Sequence, residues 1–531
     1  MALEDERGRS SLSRNTGVMA AGTALSRLTG FGRLFALAYA LGFTDLTDTY
    51  NLANVTPNIV YELVLGGVLS ATLVPVFVRS LATKESEDDW RAISAVATMA
   101  GAVLLAVSVA FLAGAPWLIR LYTLGQNGPV PDQQRAVATT LLRMFAPQVA
   151  LYGAVTIATA LLQARRRFAV PMFAPVLNNL VVIGVLLALP QVTNDLSLGA
   201  VRGDSSALIL LGLGTTAGVA AMTATLLVAL RRARVPLRPH WDPRHPAVKT
   251  VLRLSGWTFG FTVANQVALW VVLSLANRGQ EGDVAAYQAG QVFFLLPHGI
   301  FAVSVMSALL PDLSERWAAG DVDGYRRRLS VGLRTIAVII VPAAVGYVCL
   351  AGPIVTLVLD HGALAAGSAR VTAEVLALFA IGLPGYSIYL LLVRSYQAMQ
   401  DTRTVFFLYA VENGVNIVLA LALYPSLGVR GLALAYALAY TVGTAAALAH
   451  LRRRTRGIGG KPLVRSWLAV AAASAVMGVV VSGLTALLEA PLPKAVVGVI
   501  AGVTVYLVGA KALGITELAT LLPVRRRPQQ P

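Results

Sequence analysis

Charge is scarce in this sequence of 531 residues: Asp, Glu, Lys and Arg together make up 13% of it, against roughly a quarter in a soluble domain. With 56% hydrophobic residues and a mean hydropathy of +0.69, the chain reads as an integral membrane protein. A helical span consumes about 20 residues, and apolar segments recur throughout, which leaves no room for a large soluble domain. Cysteine is nearly absent. The single Cys349 lies in an apolar run, which excludes an intramolecular disulfide and a cysteine metal cluster and reads as a small core residue. Lysine is also rare, five among 43 basic residues. The net charge of +17 is spread in short basic runs between apolar segments, where the positive-inside rule places them, so no nucleic-acid partner is expected.

Motifs of catalysis are missing as well. There is no HExxH, no CxxC and no phosphate loop, and His240 and His245 stand in a proline-rich loop. Asp88 and Asp89 belong to the solvated stretch KESEDDW, and GLGTTAG at 212–218 has the form of a small-residue helix-packing motif. The chain is not expected to be an enzyme.

What is present is a succession of apolar runs: an all-α membrane protein of about 14 transmembrane helices, centred near residues 29, 66, 105, 149, 180, 218, 264, 298, 345, 385, 415, 441, 478 and 506. The basic clusters Arg165–Arg167, Arg326–Arg328 and Arg452–Arg454 fall in loops of one side. Arg202, Arg278, Arg370 and Lys494 fall in loops of the other. That asymmetry predicts both termini in the cytoplasm.

The chain also echoes itself. Ser-Arg-Leu-Thr-Gly at 26–30 returns as Leu-Arg-Leu-Ser-Gly at 252–256, and Gln163, Ala164 and Asn179 return as Gln397, Ala398 and Asn413. Two six-helix repeats follow, parallel because six is even, with alternate opening around a central site. The expected division is a cytoplasmic tail at 1–16, a first lobe at 17–230, a proline-rich linker at 231–249, a second lobe at 250–451, two extra helices within 452–517 and a cytoplasmic tail at 518–531. Pro57, Pro75, Pro147, Pro171, Pro175, Pro297, Pro342 and Pro384 fall in expected spans, where each removes a backbone hydrogen bond and favours a kink.

Two constellations bear on function. An ionisable side chain in hydrocarbon costs roughly 2.5–3.5 kcal/mol even on lenient scales and normally faces a bundle interior or wet cavity. Arg27 and Arg33 lie in the first span, about 120° and 9 Å apart on an ideal helix, with Gly30 and Gly32 between them as candidate bending points. Two fixed cations suit a diphosphate, which Arg grips bidentately; the other reading is a pair of structural ion bridges to Asp48 and Glu62. In the eleventh span, ENGVN sets Glu412 and Asn416 on one helix face, with Asn413 beside them. Their oxygens suit sodium, a protonatable Glu412 suits proton coupling, and interhelical hydrogen bonding is the third reading. Asn178 and Asn179 take the matching place in the first half.

The residues SRxxGFxR (26–33), TDxxN (47–51), Pro57-Asn58, the glycine-rich run into LVP (73–75), LLQARRRFAVPMFAPVLNN (161–179) and YQAMQDTRT (396–404), taken in order, resemble the MurJ/MviN lipid II flippases of the MOP transporter superfamily. The resemblance implies lipid II, an undecaprenyl-diphosphate-linked muropeptide, as substrate, carried from the cytoplasmic to the outer leaflet of a bacterial inner membrane. It implies a lipid-tail groove at the two extra helices, and membrane lipids and cell-wall synthesis proteins as partners. No cofactor is implied beyond a coupling cation, sodium or proton. Some family members carry further arginines in the second and eighth helices, where this chain has Tyr61 and Glu62, and Val292 near Pro297. Arg253 in the seventh helix is a substitute, so the expected substrate-binding set is Arg27, Arg33, Asp48, Glu62 and Arg253. A flippase for another polyprenyl-linked oligosaccharide, a multidrug exporter of the superfamily, or a scaffold of cell-wall synthesis are the alternatives.

Overall fold

The computed structural model describes residues 2–63, 87–124, 126, 128–165, 167–193, 195–246, 248–249, 256–363 and 366–517. Among them every regular element is helical. Twelve helices are long and apolar enough to cross a membrane, and they contain the expected centres from 105 to 506. The centre near 29 falls in the 40-residue helix α1 (Ala2–Leu41), and the centre near 66 lies outside the described residues.

The chain divides into two compact units, residues 1–285 with 361–364, and residues 286–360 with 365–531. The division falls at Ala285, past the linker expected at 231–249. Sequence repeats mark ancestry of segments, whereas compact units follow packing, and the two need not coincide.

Unit 1 holds α1, α2 (Asp45–Tyr61), α3 (Glu87–Tyr122), α4 (Pro129–Phe145), α5 (Pro147–Ala164), α6 (Ala169–Val192), the short α7 (Leu198–Gly203), α8 (Ser205–Arg232) and α9 (Gly256–Ala276). Pro147 stands at the start of α5 and breaks what would otherwise be one span, Val130–Ala164, because its ring cannot follow the preceding turn. Leu141, Leu142, Phe145, Leu162, Val182 and Leu186 are fully buried in one core. Polar groups are matched inside it: Tyr50 Oη lies 3.0 Å from Thr215 Oγ1, and Gln148 donates to Thr216 at 3.0 Å. In lipid the helices gain little from apolar burial against one another, so close contact and hydrogen bonds carry their association. Residues 235–242 of the linker form no regular element, as its prolines favour, and dock on α3: the Arg238 amide donates to Ser94 and the His240 amide to Thr98.

Unit 2 holds most of α10 (Asp283–Pro297), a π-turn (His298–Ala302), α11 (Val303–Ala318), α12 (Val322–Leu359), α13 (Ala366–Ala398), α14 (Thr402–Leu427), α15 (Val429–Thr455), α16 (Gly460–Ala486) and α17 (Pro491–Ala512). The π-turn follows Pro297 directly, the position where a lost helical hydrogen bond widens the ladder. Asp321 and Asp401 cap α12 and α14, accepting from the amides of Gly324 and Thr404. The extra helices pack on α12 through Val338, Leu350, Met477, Val481 and Tyr506. Arg334 bridges Glu517 at 2.9 Å and pins the stretch after α17 to α12.

One capping interaction sets the entry to α10. Asp48, 3% exposed, accepts hydrogen bonds from the amides of Gly282 (3.0 Å), Val284 (3.4 Å) and Ala285 (2.9 Å). A carboxylate at a helix N-terminus satisfies otherwise orphaned donors and complements the helix dipole. Gly282 is required there, since its φ is +83° and a Cβ would meet the Phe43 carbonyl oxygen at 2.5 Å. Asp48→Ala should therefore destabilise the purified protein by about 2–4 kcal/mol, while Asp48→Asn, keeping one acceptor, should cost less. Thermal unfolding in detergent checks this, and an unchanged midpoint for Asp48→Ala would contradict it.

Candidate functional site

In unit 1 the candidate groups are arrayed along α1 and α2. The α1 helix runs unbroken through Gly30 and Gly32, and both face α6: a Cβ on Gly30 would lie 3.6 Å from Asn179 Nδ2, and one on Gly32 3.6 Å from Ile183 Cδ1. A Cβ at either would make only an ordinary contact, whereas one on Gly22 would meet Met172 Cβ at 2.6 Å, so Gly22 is the glycine that admits α6. Asn179 reinforces the contact by donating to the Ser26 carbonyl (3.3 Å) and Thr29 Oγ1 (3.0 Å). Ser26 and Thr29 mark the seam with α6, which puts Arg33 on the seam side of α1, within about 40° of both, and Arg27 about 100° or more away from them.

Arg27 is exposed and Arg33 half-buried. Neither has an ion pair or hydrogen bond with Asp48, Glu62 or any other described residue. The structural ion bridges weighed from the sequence are thus not formed. Asp48 is committed to the α10 amides, and the half-buried Glu62 closes α2. Tyr61 packs at a tilt against Tyr152, ring centroids 5.8 Å apart, and its hydroxyl meets Thr156. Val292 is half-buried on α10, and Arg253 lies outside the described residues.

In unit 2, Glu412, Asn413 and Asn416 on α14 are 1%, 4% and 4% exposed. Asn413 donates to the Tyr409 carbonyl at 2.9 Å. Glu412 Oε2, Asn416 Oδ1 and the Tyr389 hydroxyl have no hydrogen-bond partner among the described residues, although a buried polar atom left unpaired costs about 1–3 kcal/mol. Tyrosine rings enclose the group: Tyr389 meets Tyr409 at 5.6 Å and Tyr440 at 5.3 Å, and Tyr386 meets Tyr440 at 4.8 Å. Gly443 lets α15 approach, since a Cβ there would stand 3.2 Å from Glu412 Cβ. Beside this cage His298 Nδ1 lies 3.0 Å from Ser387 Oγ. No group of three or more His, Cys, Asp or Glu comes together among the described residues, so a cation here would be held by one carboxylate with amide and phenol oxygens.

An apolar groove of about 680 Å³ runs between α12 and the extra helices, lined by Pro297, Phe301, Pro342, Gly346, Gly498 and Val503 among others. The stretch 396–404 acts as a brace. Asp401 caps α14, takes the Thr404 hydroxyl at 2.8 Å and pairs with Arg454, which lies over Trp317. Partial burial raises the Asp401 carboxyl, but the Thr404 amide and the Arg454 guanidinium outweigh it and hold the group below the usual carboxylate range. The stretch 161–179 has a similar brace, Arg165 donating to the Ala233 carbonyl and lying over Trp90. Sequence reasoning missed the tyrosine cage, whose trace was the spacing of Tyr386 and Tyr389, and of Tyr436 and Tyr440, within apolar spans.

A family model described as "Lipid II flippase MurJ" matches residues 37–499. The lipid II flippase MurJ of Burkholderia cenocepacia is 28% identical over 441 residues, covering 81% of this chain and 82% of the relative. The probable lipid II flippase MurJ of Thermotoga maritima is 26% identical over 502 residues, covering 94% and 96%. Among solved structures, a lipid II flippase MurJ in an inward closed conformation superposes with a TM-score of 0.78 at 22% identity, covering 95% of this chain and 99% of its own. A multidrug resistance MATE family transporter of the MOP superfamily in an inward-facing conformation gives 0.64 at 14%, covering 80% and 94%. At those identities the structural likenesses establish the fold. The family match spans most of the sequence, and the chain therefore belongs to the lipid II flippase MurJ family, multi-pass membrane proteins that transport rather than catalyse.

Proposed function

We propose that this protein moves lipid II from the cytoplasmic to the outer leaflet by alternating access. Support comes above all from Arg27 and Arg33, two guanidinium groups on one membrane helix with no carboxylate partner among the described residues. Uncompensated charge in a span is costly, and a diphosphate is the compensating group that two arginines match in charge and donor geometry. Glu62 and Arg253 complete the binding set in this reading, while Asp48, 14 residues before Glu62 and so about 21 Å away along α2, supports it from the cap of α10. The apolar groove between α12 and the extra helices fits a polyprenyl tail.

The decisive variants are at the two arginines. Arg27→Lys and Arg33→Lys keep charge but lose the two-pronged donor, so lipid II transport should fall at least about tenfold, the loss of one charged hydrogen bond, with membrane abundance unchanged. Arg→Ala should abolish transport. Full transport by both alanine variants would refute the reading, and loss of the protein from the membrane would return the arginines to a structural role.

A second proposal concerns energy coupling: Glu412 and Asn416 hold the driving cation, sodium or proton, within the tyrosine cage. The unpaired oxygens of Glu412, Asn416 and Tyr389 support it, because a bound cation would satisfy all three. Glu412→Gln should leave the protein abundant but make transport in vesicles insensitive to an imposed sodium or proton gradient. Gradient dependence equal to that of the unchanged protein would assign these residues to interhelical hydrogen bonding.

Both termini lie in the cytoplasm in this account. Single cysteines at Asn127, Gln280 and Leu364, in a Cys349→Ser background, should react with an impermeant thiol reagent in intact cells, whereas cysteines at Arg165 or Thr455 should not. The reverse pattern would invert the topology.

A further inference from the structure

The turn from α15 to α16 borders an open cavity of about 1050 Å³ that shares no lining residue with the apolar groove. Glycines make the turn possible. Gly457, Gly459 and Gly460 all have positive φ, and a Cβ on Gly459 would stand 2.2 Å from Ser330 Oγ, so α16 starts within a few residues of the end of α15. Arg452 from α15 is thereby set beside Lys461 and Arg465 of α16, all three lining one cavity.

Carboxylates neutralise some of the cations at this end of unit 2 and leave others. Arg326, Arg334 and Arg454, from the same end of unit 2, are each paired with a carboxylate, Asp323, Glu517 and Asp401. Arg452, Lys461 and Arg465 have no carboxylate partner among the described residues, and all three are exposed along the cavity's open side. Trp467 lines the same space, and its buried indole N–H has no acceptor among the described residues. The remaining wall is apolar, with Leu448, Leu463, Leu468 and Leu513.

The position selects the ligand. The cavity lies where the spans Val429–Thr455 and Gly460–Ala486 end, the level at which hydrocarbon gives way to head groups and where Trp and basic residues anchor. A soluble anion would use the cations and leave the leucine wall idle. An amphiphile with a negative head would use both, and basic pockets between membrane helices take acidic lipid head groups in this way.

We propose that this cavity binds the phosphodiester head of an anionic glycerophospholipid, with Arg452, Lys461 and Arg465 on the phosphate, Trp467 donating to a head-group oxygen and the leucines along the upper acyl chain. The bound lipid is distinct from the cargo, since neither the α1 arginines nor the apolar groove contributes to the cavity.

The test uses the purified full-length protein and tail-brominated lipids, which quench nearby tryptophan. Brominated phosphatidylglycerol should quench a fluorescence component that is absent in Trp467→Phe, and brominated phosphatidylcholine should not. In the combined variant Arg452→Gln, Lys461→Gln, Arg465→Gln the lipid concentration for half-quenching should rise on the order of a hundredfold, about fivefold per charge. In the unchanged protein, raising salt from about 0.1 to about 0.5 M should weaken quenching by phosphatidylglycerol alone, a readout that does not depend on the variant folding. Equal quenching by the two lipids, an unshifted curve in the folded triple variant, or displacement of the lipid by millimolar inorganic phosphate would overturn the proposal, the last by making the cavity a soluble-anion site.

Discussion

A charge placed among apolar helices has to be neutralised within the protein or kept for something that arrives, and the structure sorts its ionisable groups by that rule. Asp48 is neutralised by backbone amides at the start of α10. Glu374 holds Arg370 and Arg430, and Glu517 holds Arg334. Arg27, Arg33 and Glu412 are left without such partners among the described residues. The first two are reachable from outside unit 1 and positive; the third is enclosed and acidic. Cargo binding and cation coupling are the roles that this division supports.

Backbone economy follows a similar logic. Glycines in unit 1 let helices touch, as where Gly22 of α1 meets Met172 of α6, and polar side chains such as Asn179 then hold the contact. Prolines do the opposite: Pro147 splits a span, and Pro297 is followed by a π-turn that brings His298 against Ser387 and Tyr386. Helices that are jointed at a few sites and tightly seamed elsewhere suit rigid pieces that rearrange about fixed contacts.

Much of the architecture could be read in advance because the membrane imposes a coarse grammar: twelve of the expected spans coincide with long apolar helices, and the echoed pairs Gln163-Ala164 and Gln397-Ala398 close α5 and α13. Partner identity was less legible. Asp48 looked like a group for cargo or for an arginine, but the donors it accepts from are backbone amides more than 230 positions away, which no local pattern encodes. The spacing of Arg27 and Arg33 implied a bend at the glycines, whereas α1 runs as one helix through both. The tyrosine cage around Glu412 and the basic cavity at the α15–α16 turn depend on helix neighbours, and single-sequence periodicity carries no information about those.

The account rests on the claim that this chain turns lipid II across the bilayer. The most direct measurement depletes the protein in living cells and then tests whether the accumulated lipid II is open to a probe that attacks head groups only from outside. The account predicts that lipid II builds up with its head group inside, protected from the probe, and that restoring the protein exposes it. Lipid II that stays accessible at its normal level after depletion would contradict the account.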